Sequence, residues 1–334
     1  MPTIKQVSQR AKVSPSTVSR VLNGTTRVSA DARKRVLDAI EALDYIPNAF
    51  ARSLATNRSG GIGVTTNDIG SPYYAVMIRG VEATLEEAGL HLMVSSGKAR
   101  AGTERSAIEF LRQRRSDALI VQAEALADAE LIALAQHADV PVVIFGRRIP
   151  ELDAFCVHLD NEAGGRIATE HLIAHGHRTI GHLAGPLGFP DARDRLQGYR
   201  HALELAGVSF DERLVVEGDF REEGGRAAMH RLLERVPQVR AVFVANDQMA
   251  AGAMRAARDL GREIPRDLSL VGFDDVLLAR YLSPALTTVR QPLHEMGRAA
   301  AEIAVALLEH RKVEVRTRFE PELIVRESVA RTAR

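Results

Sequence analysis

TIKQVSQRAKVSPSTVSRVLNG, residues 3–24, holds two amphipathic patterns separated by a break. Ile4, Val7 and Ala11 recur three and four residues apart, one face of a short helix with Thr3 as its N-cap. Val13 and Ser14 interrupt it. Ser14 then caps a second helix whose first position is Pro15, where a missing N–H costs nothing. Val18, Val21 and Leu22 turn inward there, Ser16, Thr17, Ser19 and Arg20 turn outward, and Asn23-Gly24 is the stop. A third pattern, SADARKRVLDAIEALDY, begins at Ser29, places Asp31 in its first turn and buries Val36, Ile40 and Leu43. Three short helices with a tight turn between the first two predict a helix-turn-helix unit that meets duplex DNA. The hydroxyls of the outer face suit phosphate oxygens, and Arg20 suits bidentate contact with guanine.

Charge supports that placement. Residues 1–60 carry 10 Lys and Arg against 4 Asp and Glu, a net +6, while the other 34 and 39 leave the remainder at −5. A basic head on a mildly acidic body fits a polyanionic partner. The 334 residues allow two or three domains, and 46% apolar with 26% charged residues is a globular balance. No apolar run reaches the ~20 residues of a membrane span, and residues 1–10 resemble neither a signal peptide nor an anchor. The single cysteine, Cys156, lies in an apolar strand pattern and fits a reducing cytoplasm. A cytoplasmic, nucleoid-associated protein is therefore expected.

The ordered run T-x-x-x-V, then V-S-x-x-T-V-S-R-V-L-N-G, resembles the DNA-binding head of the lactose/galactose repressor (LacI/GalR) family. The resemblance implies that Thr3, Thr17, Ser19 and Asn23 hold the DNA backbone, while Pro15, Ser16 and Arg20 occupy base-reading positions. Pro15 departs from members with a hydrogen-bonding side chain there. Recognition at that position should lean on apolar contact or on its neighbours.

From Gly61 onward the pattern alternates. GIGVTT, HLMVSS, ALIVQA and PVVIFG read as buried strands, with helical patterns over 73–88, 104–114 and 128–137 between them. After VHLDN a second series follows: TIGHLAG, LVVEGD, AVFVAN and LSLVGF. Such alternation predicts an α/β fold with parallel sheets in two similar lobes around a cleft. Residues 286–291 and the helix over 293–310 should cross back to the first lobe. This body resembles the type I periplasmic sugar-binding fold of the same family, so the resemblance runs from Thr3 to about Ser328. The expected domains are a helix-turn-helix head over 1–46, a hinge or linker over 47–60, and an effector-binding and dimerisation body over 61–334. Within the body, the first lobe is expected at about 61–159 plus 290–328, and the second at about 160–289.

Ligands of open α/β sheets bind beyond the carboxyl ends of the strands. Those ends present Asp68, Ser71, Tyr73, Tyr74, Asp160, Phe189, Arg193, Arg195, Asp219, Phe220, Asn246, Asp247, Asp274, Asp275 and Gln291. Rings, arginines, carboxylates and amides together suit a polyhydroxylated ligand. The family resemblance implies hydrogen bonds from Arg195, Asn246, Asp274 and Gln291, with Tyr73, Tyr74 and Phe220 packing on the ligand. Ser71 and Asp160 complete the expected effector site. Asp247 and Asp275 are expected as helix caps, and Arg193 as either a cleft residue or the partner of an acid on its own helix.

Enzyme-like constellations give way to structural readings. HLIAHGHRTIGH places His171 and His175 at i, i+4, yet no Glu follows His171 and Gly176-His177 reads as a helix stop. Asp274 and Asp275 are strand-end neighbours that point apart, unlike a glycosidase pair. No nucleophile–base pair, P-loop or dinucleotide fingerprint occurs, so no enzyme, cofactor or metal is expected. The expectation is a dimeric, effector-controlled repressor of carbohydrate genes on a palindromic operator, the effector being a sugar or sugar acid. Regulators of the family that use a purine or a phosphoprotein co-repressor are the alternative, with a sugar transport protein further behind. Phe189 stands where a purine-binding relative would want a polar side chain. With no leucine heptads before Arg334, a dimer is expected in place of a tetramer.

ARSLATNRSG, residues 51–60, reads as a linker, yet it carries Leu54 between Arg52 and Arg58. From Asn48 it spans too few residues to hold a helix alone in water. Two copies paired over DNA would fold, with small Ala51 and Ala55 allowing close approach and Leu54 wedging a minor-groove step.

Overall fold

Thr3 opens the first helix, α1 (Ile4–Ala11), with a reciprocal cap: its hydroxyl accepts from the Gln6 amide while the Gln6 side chain accepts from the Thr3 amide at 2.8 Å. The structure, a computed structural model, describes residues 2–22, 28–45 and 58–332. Lys12, in the left-handed region at φ 54°, turns the chain out of α1. Helix α2 (Pro15–Leu22) then starts from Ser14, whose Oγ accepts from the Thr17 amide at 3.2 Å. Ser29 caps α3 (Ala30–Ala42) through the Ala32 amide. Val7, Ala11, Val18, Val21, Val36 and Ala39 form the small core, closed by Tyr45, which follows α3. This head belongs to a compact unit over Met1–Gly60, and Gly61–Arg334 form a second.

The body repeats one arrangement twice. Its first half runs β1 (Gly61–Thr66), α4 (Pro72–Glu87), β2 (His91–Ser96), α5 (Ala101–Gln113), β3 (Ala118–Val121), α6 (Asp128–His137), β4 (Val142–Phe145) and β5 (Cys156–Leu159). The second runs α7 (Asn161–Ala174), β6 (Ile180–Ala184), α8 (Pro190–Leu205), β7 (Val215–Glu217), α9 (Glu222–Arg235), β8 (Ala241–Val244), α10 (Asp247–Asp259), β9 (Ser269–Asp274), α11 (Leu277–Tyr281) and β10 (Thr287–Arg290). Then come α12 (Leu293–Leu308), β11 (Arg318–Phe319) and β12 (Glu322–Ile324). The sheets have the orders β11-β5-β4-β3-β1-β2 and β12-β10-β9-β8-β6-β7. All pairings are parallel except β10 with β12. The β1, β3, β4, β6, β8 and β9 strands are buried along their length, as continuous apolar runs covered by helices on both faces must be.

The chain passes between the lobes three times: after β5, between β10 and α12, and between β11 and β12. Helix α12 packs on α4 of the first lobe, as expected of a crossing back. The last stretch departs from the expected division, which put 290–328 in the first lobe. Residues 322–324 pair with β10 in the second sheet, and Ser328 is buried there, donating to the Leu270 carbonyl and accepting from the Thr287 amide. A serine that satisfies two buried backbone groups ties the chain's end to the second lobe.

Three helix pairs cross with main chain against main chain. A Cβ on Gly80 of α4 would stand 2.0 Å from the His294 carbonyl oxygen, and one on Gly297 of α12 would stand 2.2 Å from that of Met77. Gly165 and Gly198 make the same reciprocal contact between α7 and α8, as do Gly225 and Gly252 between α9 and α10.

Candidate functional site

The strand orders reverse between β1 and β3 in one lobe and between β6 and β8 in the other, and the carboxyl ends at those points face each other. Between them lies a cavity of about 130 Å³. It is lined from the first lobe by Asn67, Asp68, Ser71, Tyr73, Tyr74, Gln122 and Glu124, and from the second by Phe189, Asp191, Arg195, Phe220, Asn246 and Asp274 among others.

Arg195, buried on the first turns of α8, organises the floor. Its Nε donates to Asn161 Oδ1 at 2.9 Å and its Nη1 to the Ala245 carbonyl at 2.6 Å. Asp191 and Asp274 lie 3.5 and 3.9 Å from the guanidinium, which stacks 3.8 Å over the Phe273 ring. Burial pushes the Asp274 carboxyl up to about 7, while Arg195 and the Gln291 amide, bonded at 2.6 Å, pull it back. Asp274 and Asp275 both have positive φ, 103° and 54°, a strained backbone that these side-chain bonds hold in place. Phe220 also has positive φ, 65°, and stacks on Phe189 with ring centroids 6.3 Å apart. Across the cleft Tyr73 and Tyr74 meet edge to face at 4.9 Å, and burial pushes both phenols well above their usual range.

Of the expected effector residues, Ser71, Tyr73, Tyr74, Arg195, Phe220, Asn246 and Asp274 line this cavity. Gln291 lines a small adjoining one with Tyr73, Glu124 and Arg195. Several are engaged within the protein. Asn246 caps α10 through the Met249 amide and donates to the Phe220 carbonyl at 3.0 Å, so it fixes the ring. Ser71 Oγ donates to Gln248 Oε1 at 2.8 Å, joining the two lobes, and Asp68 pairs with Arg221 at 3.0 Å in the same way. Asp160 is placed elsewhere: it caps α7 through the Ala163 amide and pairs with Arg318, outside the cavity lining.

The expected helix caps are a correction too. Asp247 accepts from the Val276 amide at 2.9 Å and from Thr288 at 2.6 Å, while Asp275 pairs with Arg290 at 2.9 Å and with Arg326. Both brace the strand ends from beneath, because a buried carboxylate must collect donors. Arg193 donates to the Leu187 and Gly188 carbonyls.

Gln122, Glu124 and Asp191 went unrecognised in the sequence. The strand-end rule applied to β3 finds the first two. Gln122 Nε2 donates to Glu124 Oε1 at 2.5 Å, and burial, with Asp191 opposite, pushes the Glu124 carboxyl up to about 8. Glu104 anchors this loop, accepting from the amides of Glu124, Ala125 and Leu126. Gln122 Oε1 and Asn67 Oδ1 are buried without a hydrogen-bond partner among the described residues, so a ligand with hydroxyl donors would satisfy both.

The His171 and His175 rings meet at a tilt of 52° with centroids 4.4 Å apart, and His177 bonds Ser269 and the Ala330 carbonyl. The described residues contain no group of three or more side chains placed to hold a metal. In the head, Pro15, Ser16 and Arg20 are exposed on α2, with Thr17 and Ser19 half-buried beside them and Thr3 exposed at the start of α1. Asn23, Asn48, Ala51 and Leu54 lie outside the described residues.

The bacterial regulatory proteins, lacI family, model matches residues 3–48, and a periplasmic binding protein-like domain matches 169–329. The HTH-type transcriptional regulator GalR of Escherichia coli (strain K12) is 42% identical over 332 residues, covering 99% of this chain and 96% of that protein. Among solved structures, a transcriptional regulator CelR–cellobiose complex is 36% identical with a TM-score of 0.73, covering 98% of this chain and 100% of that one. A lac repressor dimer bound to operator and the anti-inducer ONPF is 30% identical with a TM-score of 0.89, covering 98% and 99%.

Proposed function

The chain belongs to the lacI family of bacterial regulatory proteins, and from that premise we propose that its effector is a neutral sugar held in the cleft between the lobes. The protein is a ligand-responsive, DNA-binding repressor that acts as a dimer on operator DNA, with no enzymatic role. No helix among the described residues is long and apolar enough to cross a membrane.

One observation carries the choice of ligand. The cavity's buried cation, Arg195, is already flanked by Asp191 and Asp274, and further acidic side chains line the walls at Asp68 and Asp219. Among the described residues Lys98 is the lining cation without an acidic partner, and it is exposed at the mouth, so a sugar acid or sugar phosphate would find no free countercharge at the buried floor. A neutral polyol instead offers donors to Gln122 and Asn67 and an apolar face to Phe220 and the tyrosines. The CelR structure with cellobiose supports a carbohydrate in this fold. The purine alternative has less support, because Phe189 and Phe220 stack on each other at the wall where a polar group would be needed.

On DNA, Pro15, Ser16 and Arg20 are the base-facing set, and Thr3, Thr17, Ser19 and Asn23 the phosphate-facing one. Asn48, Ala51 and Leu54 serve the hinge. Domain limits at 46 and 60 and association with the nucleoid follow from the same reading. Effector binding changes the angle between the lobes because it favours one closure state over the other. The test is selection of genomic fragments at low salt, followed by anisotropy titrations with and without neutral sugars. Binding should fall steeply with salt and shift with one neutral sugar, and Leu54→Ser should weaken operator affinity and reduce bending. Failure to retain DNA at low salt would refute the repressor reading. A response to sugar acids alone would refute the neutral ligand.

A further inference from the structure

The cleft holds one polar pair that the family resemblance leaves without a role. At the end of β3, Glu124 stands in the wall of the cavity with one carboxyl oxygen bonded to Gln122 Nε2. Among the described residues no protein group bonds its second oxygen. Its backbone cannot drift, because Glu104 grips the three consecutive amides from Glu124 to Leu126. The carboxyl is thus pre-positioned on a rigid loop with one atom available to a ligand, which is how a specificity-determining group is built.

We propose that Glu124 is the specificity-determining group of the first lobe and presents a neutral carboxyl whose O–H donates to an effector oxygen. This rests on the reading of the cleft as a neutral-sugar site. The charged and titratable groups around Glu124 are Asp191 and Arg195 on α8, Arg147 after β4, Glu104 on α5, and Tyr73 and Tyr74 on α4. Lys98, Asp68, Asp219, Arg221 and Asp274 line the same cavity, and Asp128, Arg148, His158, Arg193 and Asp194 share with Glu124 a wider opening on the other flank. The nearest counter-charges are committed elsewhere: Arg147 to Asp128 and two carbonyls, Arg195 to the floor of the cleft. With Asp191 opposite, an ionised Glu124 would add a second charge of the same sign to a half-buried wall, so the proton stays near neutral pH. The consequence is directional. A protonated carboxyl can give a hydrogen bond to a sugar oxygen, while the carboxylate can only accept. Affinity is therefore full at pH 7 and falls about tenfold per pH unit once the proton is lost above about pH 8.

The test uses the full-length protein and calorimetric titration with D-galactose and with cellobiose, from pH 6.5 to 9.5. Wild type should bind one of them and lose at least tenfold in affinity across the upper half of that range. Glu124→Gln keeps a neutral donor of similar shape, so its profile should lose the decline above pH 8. Glu124→Ala should bind at least tenfold more weakly at pH 7. Binding by wild type that stays flat to pH 9.5, or a Glu124→Gln profile that still declines, overturns the role of Glu124 alone. Absence of binding by either sugar to wild type at pH 6.5, with thermal shift confirming a folded protein, overturns the sugar-site reading and this inference together.

Discussion

Replacing Arg195 by alanine tests the floor of the cleft most directly. The side chain gives up two charge-assisted hydrogen bonds, to Asn161 and Ala245, and its stack on Phe273, and it leaves Asp191 and Asp274 beside each other. Breaking a buried pair by removing one partner costs about 3–5 kcal/mol. Here the cost should depend on pH, because Asp274, at about 7, can take a proton in place of the lost cation. At pH 6.5 the carboxyl is largely protonated with or without Arg195, and the loss should be about 3 kcal/mol, near the low end of that range. Above pH 7 the wild-type carboxyl ionises, while the variant's, without Arg195 to lower it, keeps its proton in the folded state and loses it on unfolding. The folded variant then binds more protons than the unfolded chain, so its stability falls as pH rises, by about 1.4 kcal/mol per unit, while the wild type levels off. Urea unfolding followed by circular dichroism at pH 6.5, 7.5 and 8.5 reads this out, provided the dependence on urea is unchanged. Arg195→Lys keeps a charge but cannot bond both acceptors and stack at once, so it should fall between. A loss under 1 kcal/mol, or one that does not grow with pH, would refute the view that Arg195 neutralises this pair.

Other consequences are accessible to simple measurements. His182 is buried between Tyr199 and Phe243, and burial holds it down at about 4, so the folded protein resists a proton that the unfolded chain accepts below about pH 6.5. Its contribution is intact above that value and should cost about 3 kcal/mol by pH 4, visible as an acid-side slope that His182→Phe removes. Leu277 and Tyr281 stand one turn apart on α11, 64% and 79% exposed, and Tyr281→Asp should weaken dimerisation by more than tenfold in sedimentation equilibrium. The pair Asp68–Arg221 joins the lobes at an exposed rim, so Arg221→Ala should change effector affinity by less than about fivefold. A larger loss in titration calorimetry would mean that Arg221 touches the ligand.

Much of this architecture was legible in the chain because long apolar runs such as GIGVTT and ALIV have no other use than a strand buried on both faces. The head was legible through its caps at Thr3, Ser14 and Ser29, which announce where each helix begins. The short strands β11 and β12 left no trace: two and three residues around Pro321 show no periodicity, and only pairing with β5 and β10 makes them strands. The cleft was partly legible for a similar reason. Strand ends are local features, so Tyr73, Arg195 and Asp274 could be found from them. What those residues bond is a matter of tertiary contact. Asn246 turned out to serve its own helix and Ser71 to reach Gln248, 177 positions away. Asp160 looked like its neighbours in sequence and was taken by Arg318 from near the far end of the chain.

The glycine crossings bear on how such a body can move. Where α4 meets α12, α7 meets α8 and α9 meets α10, no side chain lies between the two main chains at the point of closest approach. A joint of that kind has no compliant layer, so the helices cannot slip past one another without carbonyls colliding. Each lobe is then a solid jaw, and flexure is left to the three strands of chain that pass between the jaws. A rotation that began in the mouth would reach the outer edge of the jaw undiminished, as along the arm of a lever.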